Sequence, residues 1–202
     1  MMASCDNSNR GVAGGPARHI PVMLKEVLDA LEPADNGIYV DGTFGAGGYS
    51  RAILESADCQ VLAIDRDPHA IADGRSMVEE FAGRLILKPG LFSNMVALAK
   101  DAGFDQVDGV TLDIGVSSMQ IDMAERGFSF LQDGPLDMRM GTTGPSAADV
   151  VNLMEEEDIA DILFILGEER RSRAIARAIV AARGDNPIVR TVQLAELVTK
   201  VM

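Results

Sequence analysis

The sequence has no long apolar run and contains few cysteines and histidines. No apolar run reaches the roughly 18 residues that a membrane-spanning helix requires, so we expect no membrane partner. The two cysteines, Cys5 and Cys59, lack the spacing of a metal or redox site, and we expect reduced thiols in a cytosolic protein. The two histidines, His19 and His69, also lack metal-ligand spacing, so no metal site is predicted.

The first eighteen residues, MMASCDNSNRGVAGGPAR, contain no apolar segment of the kind that a secretory signal has. They also lack the arginine-rich amphipathic pattern of an organelle transit peptide. Because they are small and polar, we expect residues 1–18 to form a disordered tail. Together these absences predict a cytoplasmic location.

Basic residues are in deficit, with 18 Lys and Arg against 31 Asp and Glu and a formal net charge of −13. Taken alone, this charge argues against a nucleic-acid partner, which requires a basic surface. The distribution is uneven, however, because the segment RRSRAIARAIVAAR carries five arginines and no acid. Arg170, Arg173 and Arg177 have the spacing of one helical face, and both a solvated face and an RNA-facing one fit that pattern.

Short apolar runs alternate with segments of helical composition in the first part of the chain. This alternation predicts an α/β fold with a parallel sheet, and 202 residues are enough for one core or for one domain with an insertion. The predicted strands are Ile38–Asp41, Val61–Asp65, Arg84–Leu87 and Gly109–Ile114, and the predicted helices are Ser50–Ser56, Pro68–Phe81 and Phe92–Ala102.

The pattern changes after Ile114. Residues 115–145 are too irregular for a helix and too long for an idle loop, so a functional segment is predicted. A helical part at 146–202 follows, opened by the capping box Ser146–Asp149, with one apolar face at Ile159, Ile162, Leu163 and Leu166, another at Ile175, Ala178, Ile179 and Ala182, and a last helix capped by Thr191. Four strands are few for a doubly wound sheet, so we expect a fragment of a longer protein.

The loop after the first strand, in YVDGTFGAGGYS, is built to approach a ligand closely. A dinucleotide fingerprint would need a glycine where Ser50 stands. Asp41, which opens the loop, does not suit a pyrophosphate but suits a cationic ligand such as S-adenosylmethionine. The alternative is a tight strand-to-helix turn that binds nothing.

Acids follow three of the predicted strands, at Asp41, Asp65 and Asp113. Ligands of open α/β sheets bind outside the carboxyl ends of the strands. A carboxylate at Asp65 can accept both ribose hydroxyls of a nucleoside, although a solvated strand-end acid is the alternative. Asp67 reads as a helix N-cap before Pro68. In methyltransferases that act on exocyclic amines, an acceptor after the fourth strand holds the amine in line with the methyl donor, and Asp113 stands at the corresponding place.

Five stretches resemble one family from about His19 to the end of the chain. They are HIPVMLKEVLDAL, YVDGTFGAGGYSRAIL, LAIDRDPHAI, DIGVSSMQIDMAERGFSFLQDGPLDMRM and GEERRSRAIARAIV. The chain resembles the bacterial small-subunit ribosomal RNA cytosine-N4 methyltransferases, the RsmH or MraW family. The resemblance implies a class I S-adenosylmethionine-dependent, Rossmann-like core at 19–114, an active-site region at 115–145 and an inserted helical substrate-recognition subdomain at 146–202, with the remaining core strands beyond residue 202.

The resemblance also implies methylation of N4 of a decoding-centre cytidine in 16S rRNA, with the rRNA or the small subunit as partner and a homodimer left open. It assigns Asp113 as the catalytic residue that holds the amine. The cofactor contacts that it implies are Gly47, Gly48, Tyr49, Asp65, Phe92, Asp113 and Gln120. Tyr49 departs from the family pattern, where histidine is expected, and a contact through its backbone would be unaffected.

Other interpretations remain open at this stage. Phe92 has the composition of a core residue as well as that of a ligand contact. A small-molecule methyltransferase with the same cofactor site would explain the acidity, and a non-enzymatic S-adenosylmethionine-binding assembly factor would lack an acceptor at Asp113.

Overall fold

A four-stranded parallel sheet organises the first half of the molecule. The structure is a computed structural model that describes residues 21–202, so the predicted tail, Cys5 and His19 lie outside the described residues. The strands run in the order β3-β2-β1-β4, and all three pairings are parallel. Their bounds are β1 (Ile38–Asp41), β2 (Gln60–Asp65), β3 (Leu85–Pro89) and β4 (Gly109–Thr111).

This order matches the first four positions of the 3-2-1-4-5-6 arrangement of Rossmann-like sheets. The predicted α/β Rossmann-like class is therefore confirmed. Strands β2 and β3 lie on one side of β1, whereas β4 lies on the other side. The strand order therefore reverses between β1 and β4, and open α/β sheets bind their ligands at such a switch point. The elements that flank it are the loop after Asp41 and the segment after Thr111.

Helices connect the strands, and their bounds differ from the predicted ones in several places. A helix at Leu24–Leu31 was not predicted, and the predicted helix Ser50–Ser56 begins at Gly48. The predicted helix Pro68–Phe81 is two helices that meet at Gly74, where a Cβ atom would lie 2.5 Å from the Phe44 ring and 2.6 Å from Leu87. Predicted helix Phe92–Ala102 begins instead as a 3₁₀ turn, Phe92–Asn94. The bounds are α1 (Leu24–Leu31), α2 (Gly48–Ser56), α3 (Pro68–Asp73), α4 (Arg75–Glu80) and α5 (Met95–Asp101).

The sheet is buried on both faces, which explains why β2 is an unbroken apolar run. Val61 and Ala63 pack into a cluster with α2 and α4, while Leu62 and Ile64 pack into a second cluster with α5. All four side chains have 0% exposure. The packing on both faces fixes the register of β2, so the position of its last residue, Asp65, is fixed as well.

Strand β4 is shorter than predicted, because its pairing with β1 ends at Thr111 opposite Asp41. Asp113 consequently lies two residues past the strand rather than at its end. Among the described residues, β4 pairs with β1 alone. Three apolar residues in this strand or just after it are exposed: Val110 at 42%, Leu112 at 39% and Ile114 at 72%.

The segment 115–145 is mostly irregular, as expected, with one short helix, α6 (Ser118–Asp122), and a 3₁₀ turn, Ala124–Arg126. The helical part that follows has a buried cluster that includes Val151, Ile159, Ile175 and Ile179, and Leu136 of the preceding segment packs into it. Its helices are α7 (Ala147–Leu153), α8 (Glu156–Ile165), α9 (Ser172–Asp185) and α10 (Thr191–Val201).

The helices of this part agree with the predictions at one cap and differ from them at three residues. The capping box at Ser146 and Asp149 is confirmed. Leu166 was predicted on the buried face of its helix, but it ends α8 and is 79% exposed. Thr191 is the first residue of α10 rather than its N-cap, which is Arg190. The Thr191 hydroxyl is used elsewhere, since it accepts a hydrogen bond from Gly134 N at 3.1 Å and donates one to Gln132 O. Arg170 lies in the turn before α9, so it does not share a helical face with the other arginines.

Candidate functional site

The candidate site is the edge of the sheet at which β1, β2 and β4 end. The loop after β1 is held there by backbone hydrogen bonds to both neighbouring strands: Gly42 N donates to Thr111 O, and Phe44 N donates to Ile64 O, each at 3.0 Å. This loop therefore lies across the switch point rather than beside it.

Two glycines let the loop turn into α2. Gly45 and Gly47 have φ values of 53° and 76°, a left-handed conformation that favours glycine. A Cβ atom on Gly47 would also lie 2.5 Å from Met77 Cε and 2.8 Å from the Phe44 ring. Gly47 is the N-cap of α2, and Gly48 is its first residue. The first-turn amides of α2, including those of Gly48 and Tyr49, have no carbonyl of their own helix to bond.

Asp41 has a different role from the predicted one. Its side chain is fully buried, at 0% exposure, so it does not face a cationic ligand. Its two oxygens accept hydrogen bonds from Ser50 Oγ at 2.7 Å and from Thr43 N at 3.1 Å. Burial raises the pKa of Asp41 to about 6, although these two hydrogen bonds oppose that rise. The carboxyl group thus ties the start of the glycine loop to α2 from the inside.

Asp65 lies at the centre of the site. Its Oδ2 atom accepts a hydrogen bond from Gly45 N at 2.7 Å, and its Oδ1 atom accepts one from Asp67 N at 2.8 Å. Each carboxylate oxygen has a second lone pair for a further donor, and the residue is half-buried. The predicted cofactor residue is thereby joined to the glycine loop.

Asp113 is joined to the same loop through Thr43. The Thr43 hydroxyl accepts a hydrogen bond from Asp113 N at 2.7 Å, while Thr43 N bonds Asp41. The Asp113 side chain is exposed at this edge. Its backbone is fixed although it lies beyond the end of β4.

Tyr49 and Phe92 complete the set near the loop. Tyr49 is 8% exposed, and burial raises the pKa of its phenol, with further rises from the charges of Asp113 and Asp41. Phe92 is 39% exposed, so the core interpretation of this residue is wrong. A Cβ atom on Gly42 would lie 3.1 Å from Phe92 Cβ, which places the base of that side chain against the start of the loop.

Gln120 is buried at 8% exposure, and its amide is already engaged. Its Nε2 atom donates to Asp67 Oδ2 at 3.0 Å, and its Oε1 atom accepts from Ser117 N at 3.0 Å. Asp67 is the N-cap of α3, as predicted. Burial acts to raise the pKa of Asp67, but the hydrogen bonds from Gln120 and Arg126 outweigh it, so that the pKa is lowered.

Arg126 was not predicted as a site residue. Its guanidinium donates to Asp67 Oδ2 at 2.7 Å, and the two side chains are 13% and 8% exposed. No sequence signal distinguishes Arg126 from Arg139 in the same irregular segment, and the partner of Arg126 lies 59 residues away. Sequence reasoning assigned Asp67 to the helix cap alone.

The arginines of the helical part stay apart from these contacts. Arg173 and Arg177 are exposed on α9, and Arg177 lies 3.7 Å from Glu156. Neither a solvated face nor an RNA-facing one is favoured by this arrangement. Within residues 21–202, no cluster of His, Cys, Asp and Glu has the geometry to hold a metal ion. No helix in that same range has the length and apolarity needed to cross a membrane.

The fold and the site together define a Rossmann-like α/β protein with a glycine loop and acids at one sheet edge. The model of the MraW methylase family matches residues 16–202, and the chain belongs to that family. It is 64% identical over 190 residues to the ribosomal RNA small subunit methyltransferase H of Xanthobacter autotrophicus, covering 94% of this chain and 55% of the relative. The protein of the same name from Parvibaculum lavamentivorans is 66% identical over 184 residues, covering 91% of this chain and 54% of the relative.

The chain spans about half the length of the curated relatives that it matches. Among solved structures, the C-terminal domain of precorrin-6Y C5,15-methyltransferase from Rhodobacter capsulatus is similar at 17% identity, with a TM-score of 0.38. That likeness covers 56% of this chain and 59% of the other, and it is too weak to bear on the site.

The burial of Asp41 leads to a pH prediction. Since the folded-state pKa is raised to about 6, the folded protein binds more protons than the unfolded chain between pH 4 and 6, and this contribution to stability is lost as the pH rises through 6. Asp41→Asn removes the titration. We expect the free energy of unfolding of the variant, relative to the parent, to rise by about 2 kcal/mol from pH 4 to pH 7.

Urea unfolding followed by circular dichroism at several pH values measures this difference. The matched control is Asp105→Asn, an exposed acid, which should leave the pH dependence of the parent unchanged. Parallel stability curves for Asp41→Asn and the parent would contradict the assignment.

Proposed function

We propose that this chain binds S-adenosylmethionine at the carboxyl ends of β1 and β2. We further propose that the gene product which carries it methylates N4 of a decoding-centre cytidine in 16S rRNA. The observation that carries the proposal is the hydrogen-bonded connection of the glycine loop, Asp65 and Asp113 at the switch point of the sheet. Membership of the MraW methylase family supports the same function.

The residues at this edge suit the cofactor. Asp65 has lone pairs for the ribose hydroxyls beyond the two that accept from Gly45 and Asp67. The first-turn amides of α2, at Gly48 and Tyr49, suit the carboxylate of its methionine part. Phe92 offers exposed apolar surface beside the loop, and Gln120 retains one N–H group. When bound, the cofactor supplies an electrophilic methyl group.

Asp113 is the residue that holds the amine of the cytosine that accepts the methyl group. The N4 atom of cytosine is a poor nucleophile because its lone pair is delocalised into the ring. An exposed carboxylate that accepts a hydrogen bond from this amine localises the pair as the C–N bond would form and the C–S bond of the donor would break, and it could take the proton that N4 loses. Its benefit is greatest in the transition state. Thr43 fixes the backbone of Asp113 at 2.7 Å, which keeps the carboxylate at the edge where the glycine loop lies.

The division of the chain follows from this function. We propose that residues 19–114 form the cofactor-binding core, that 115–145 form the active-site region, and that 146–202 form an inserted substrate-recognition subdomain. The buried cluster of the helical part supports a third unit, although Leu136, from the segment before it, packs into the same cluster. Strand β4 pairs with β1 alone among the described residues, and its other edge is where we propose that further strands of the same sheet pair.

A small-molecule methyltransferase is the second candidate. The net charge of −13 favours it, since an RNA partner prefers a basic surface. It gives no role to the helical part or to the exposed arginines Arg173 and Arg177. A non-enzymatic assembly factor that binds the cofactor is the third candidate, and the exposed acceptor at Asp113 argues against it.

The three candidates separate in one assay. The complete gene product is incubated with methyl-labelled S-adenosylmethionine and either small ribosomal subunits lacking the modification or free nucleosides. We expect label in N4-methylcytidine of the 16S rRNA and none in nucleosides. Label in nucleosides would favour the small-molecule enzyme, and cofactor binding without any transfer would favour the assembly factor.

Asp113→Ala should lower turnover in that assay by at least about a hundredfold, the lower end for a positioned acid–base group. The loss should persist at saturating cofactor, because the interaction is made in the transition state. Asp113→Asn keeps one acceptor oxygen and should lose less. If turnover of Asp113→Ala recovers fully at saturating cofactor, Asp113 only holds the cofactor.

A further inference from the structure

A buried polar cluster joins the segment after β4 to the end of β2. Asp67 and Gln120 are 5% and 8% exposed, and the Asp67 carboxylate accepts from Gln120 Nε2 at 3.0 Å and from Arg126 Nη1 at 2.7 Å. No buried side-chain nitrogen or oxygen lacks a partner among the described residues. Each buried polar atom of the cluster therefore has at least one partner, as a stable buried network requires.

Arg126 also binds the backbone of residues 138–140, later in the same segment. Its Nη2 atom donates to Arg139 O at 3.1 Å and to Met140 O at 3.2 Å, and its own carbonyl accepts from Met138 N at 3.1 Å. One planar guanidinium thus holds three acceptors, one through Nη1 and two through Nη2. A lysine ammonium keeps the charge but not this planar geometry.

The cluster continues into the candidate cofactor site. Asp67 N donates to Asp65 Oδ1 at 2.8 Å, and Gly45 N donates to Asp65 Oδ2 at 2.7 Å. A continuous path of hydrogen bonds therefore runs from Arg126 through Asp67 to the carboxylate proposed to hold the ribose. Gln120 branches from the same path at Asp67.

Gln120 has little freedom left in this arrangement. Its Oε1 atom accepts from Ser117 N, and one of its two N–H groups is used by Asp67. One N–H group and one oxygen lone pair remain for a ligand. Where they point depends on where Asp67 Oδ2 is held, and Arg126 shares that oxygen.

We infer that Arg126 is a positioning residue for the cofactor site, which acts through Asp67 and Gln120. The inference rests on the proposed function, because it assigns Gln120 to the cofactor. A purely structural ion pair is the alternative, and a buried ion pair is by itself weak support for stability. The two roles differ in one respect: a positioning effect vanishes when Gln120 is removed, whereas a structural effect does not.

The test is a double-mutant cycle on cofactor affinity. Calorimetric titration with S-adenosylmethionine is performed on the parent, Arg126→Lys, Gln120→Ala and the double variant, under conditions where urea unfolding shows each to be folded. We expect each single variant to bind at least about tenfold more weakly, as for a lost hydrogen bond to a charged group. The double variant should bind within about twofold of Gln120→Ala, since contacting residues in one network are not additive.

The matched control is Arg183→Lys. Arg183 is a half-buried arginine on α9 that donates to Val151 O at 2.9 Å and to Met154 O at 2.7 Å, and it takes no part in the cluster of Asp67, Gln120 and Arg126. The control should bind within about twofold of the parent. If Arg126→Lys does not fold, Asp67→Asn replaces it in the same cycle with the same expectation.

The outcomes separate the inference from the proposed function. A parent chain that does not bind S-adenosylmethionine contradicts both the inference and the proposed function. A parent that binds, with Arg126→Lys binding equally well, overturns the inference and leaves the proposed function standing. Equal losses from Arg126→Lys with and without Gln120 also overturn it, because the arginine then does not act through Gln120.

Discussion

The two hydrogen bonds accepted by the Asp65 carboxylate are the constraint on which the rest of the site depends. One comes from Gly45, in the loop after β1, and the other from Asp67, at the start of α3. Because β2 is packed on both faces by fully buried side chains, its last residue cannot shift without disturbing two hydrophobic clusters. The rigid strand thus sets the position of the loop and, through Asp67, of the segment that follows β4.

A second tie runs from the buried side of the loop. Asp41 holds Thr43 N and Ser50 Oγ, and the Thr43 hydroxyl holds the backbone of Asp113. The acids after the three strands therefore have three different roles. Asp41 supports the loop from within, Asp65 fixes it at the ligand side, and Asp113 presents a free carboxylate to solvent at the same edge.

Much of this arrangement is readable from the sequence. The apolar runs and the helical segments between them predict the four strands and the parallel sheet, and the strand-end acids mark the sheet edge at which we propose that the cofactor binds. The direction in which Asp41 points was not readable, because strand alternation assigns a face only when the buried face is known, and both faces of this sheet are buried. The length of β4 could not be predicted either, because the strand ends where its pairing with β1 ends and not where the apolar composition changes.

The contacts of Arg126 could not be predicted from the sequence. Its partner Asp67 is 59 residues away, and no periodicity links an arginine in an irregular segment to a helix cap. In the helical part, Leu166 fits the spacing of a buried face, but the helix ends there, and the side chain is 79% exposed. Spacing predicts which face a helix buries, whereas tertiary packing decides where the helix stops.

Calorimetric titration of the 202-residue chain with S-adenosylmethionine, compared with Asp65→Ala, tests the central claim most directly. The account predicts one-to-one binding by the parent and a loss of about 1.5–3 kcal/mol in the variant, the range for a hydrogen bond to a charged group. Asp73→Ala, an exposed acid on α3, serves as the matched control and should bind as the parent does. Unchanged affinity in Asp65→Ala, or no binding by the parent, would contradict the account.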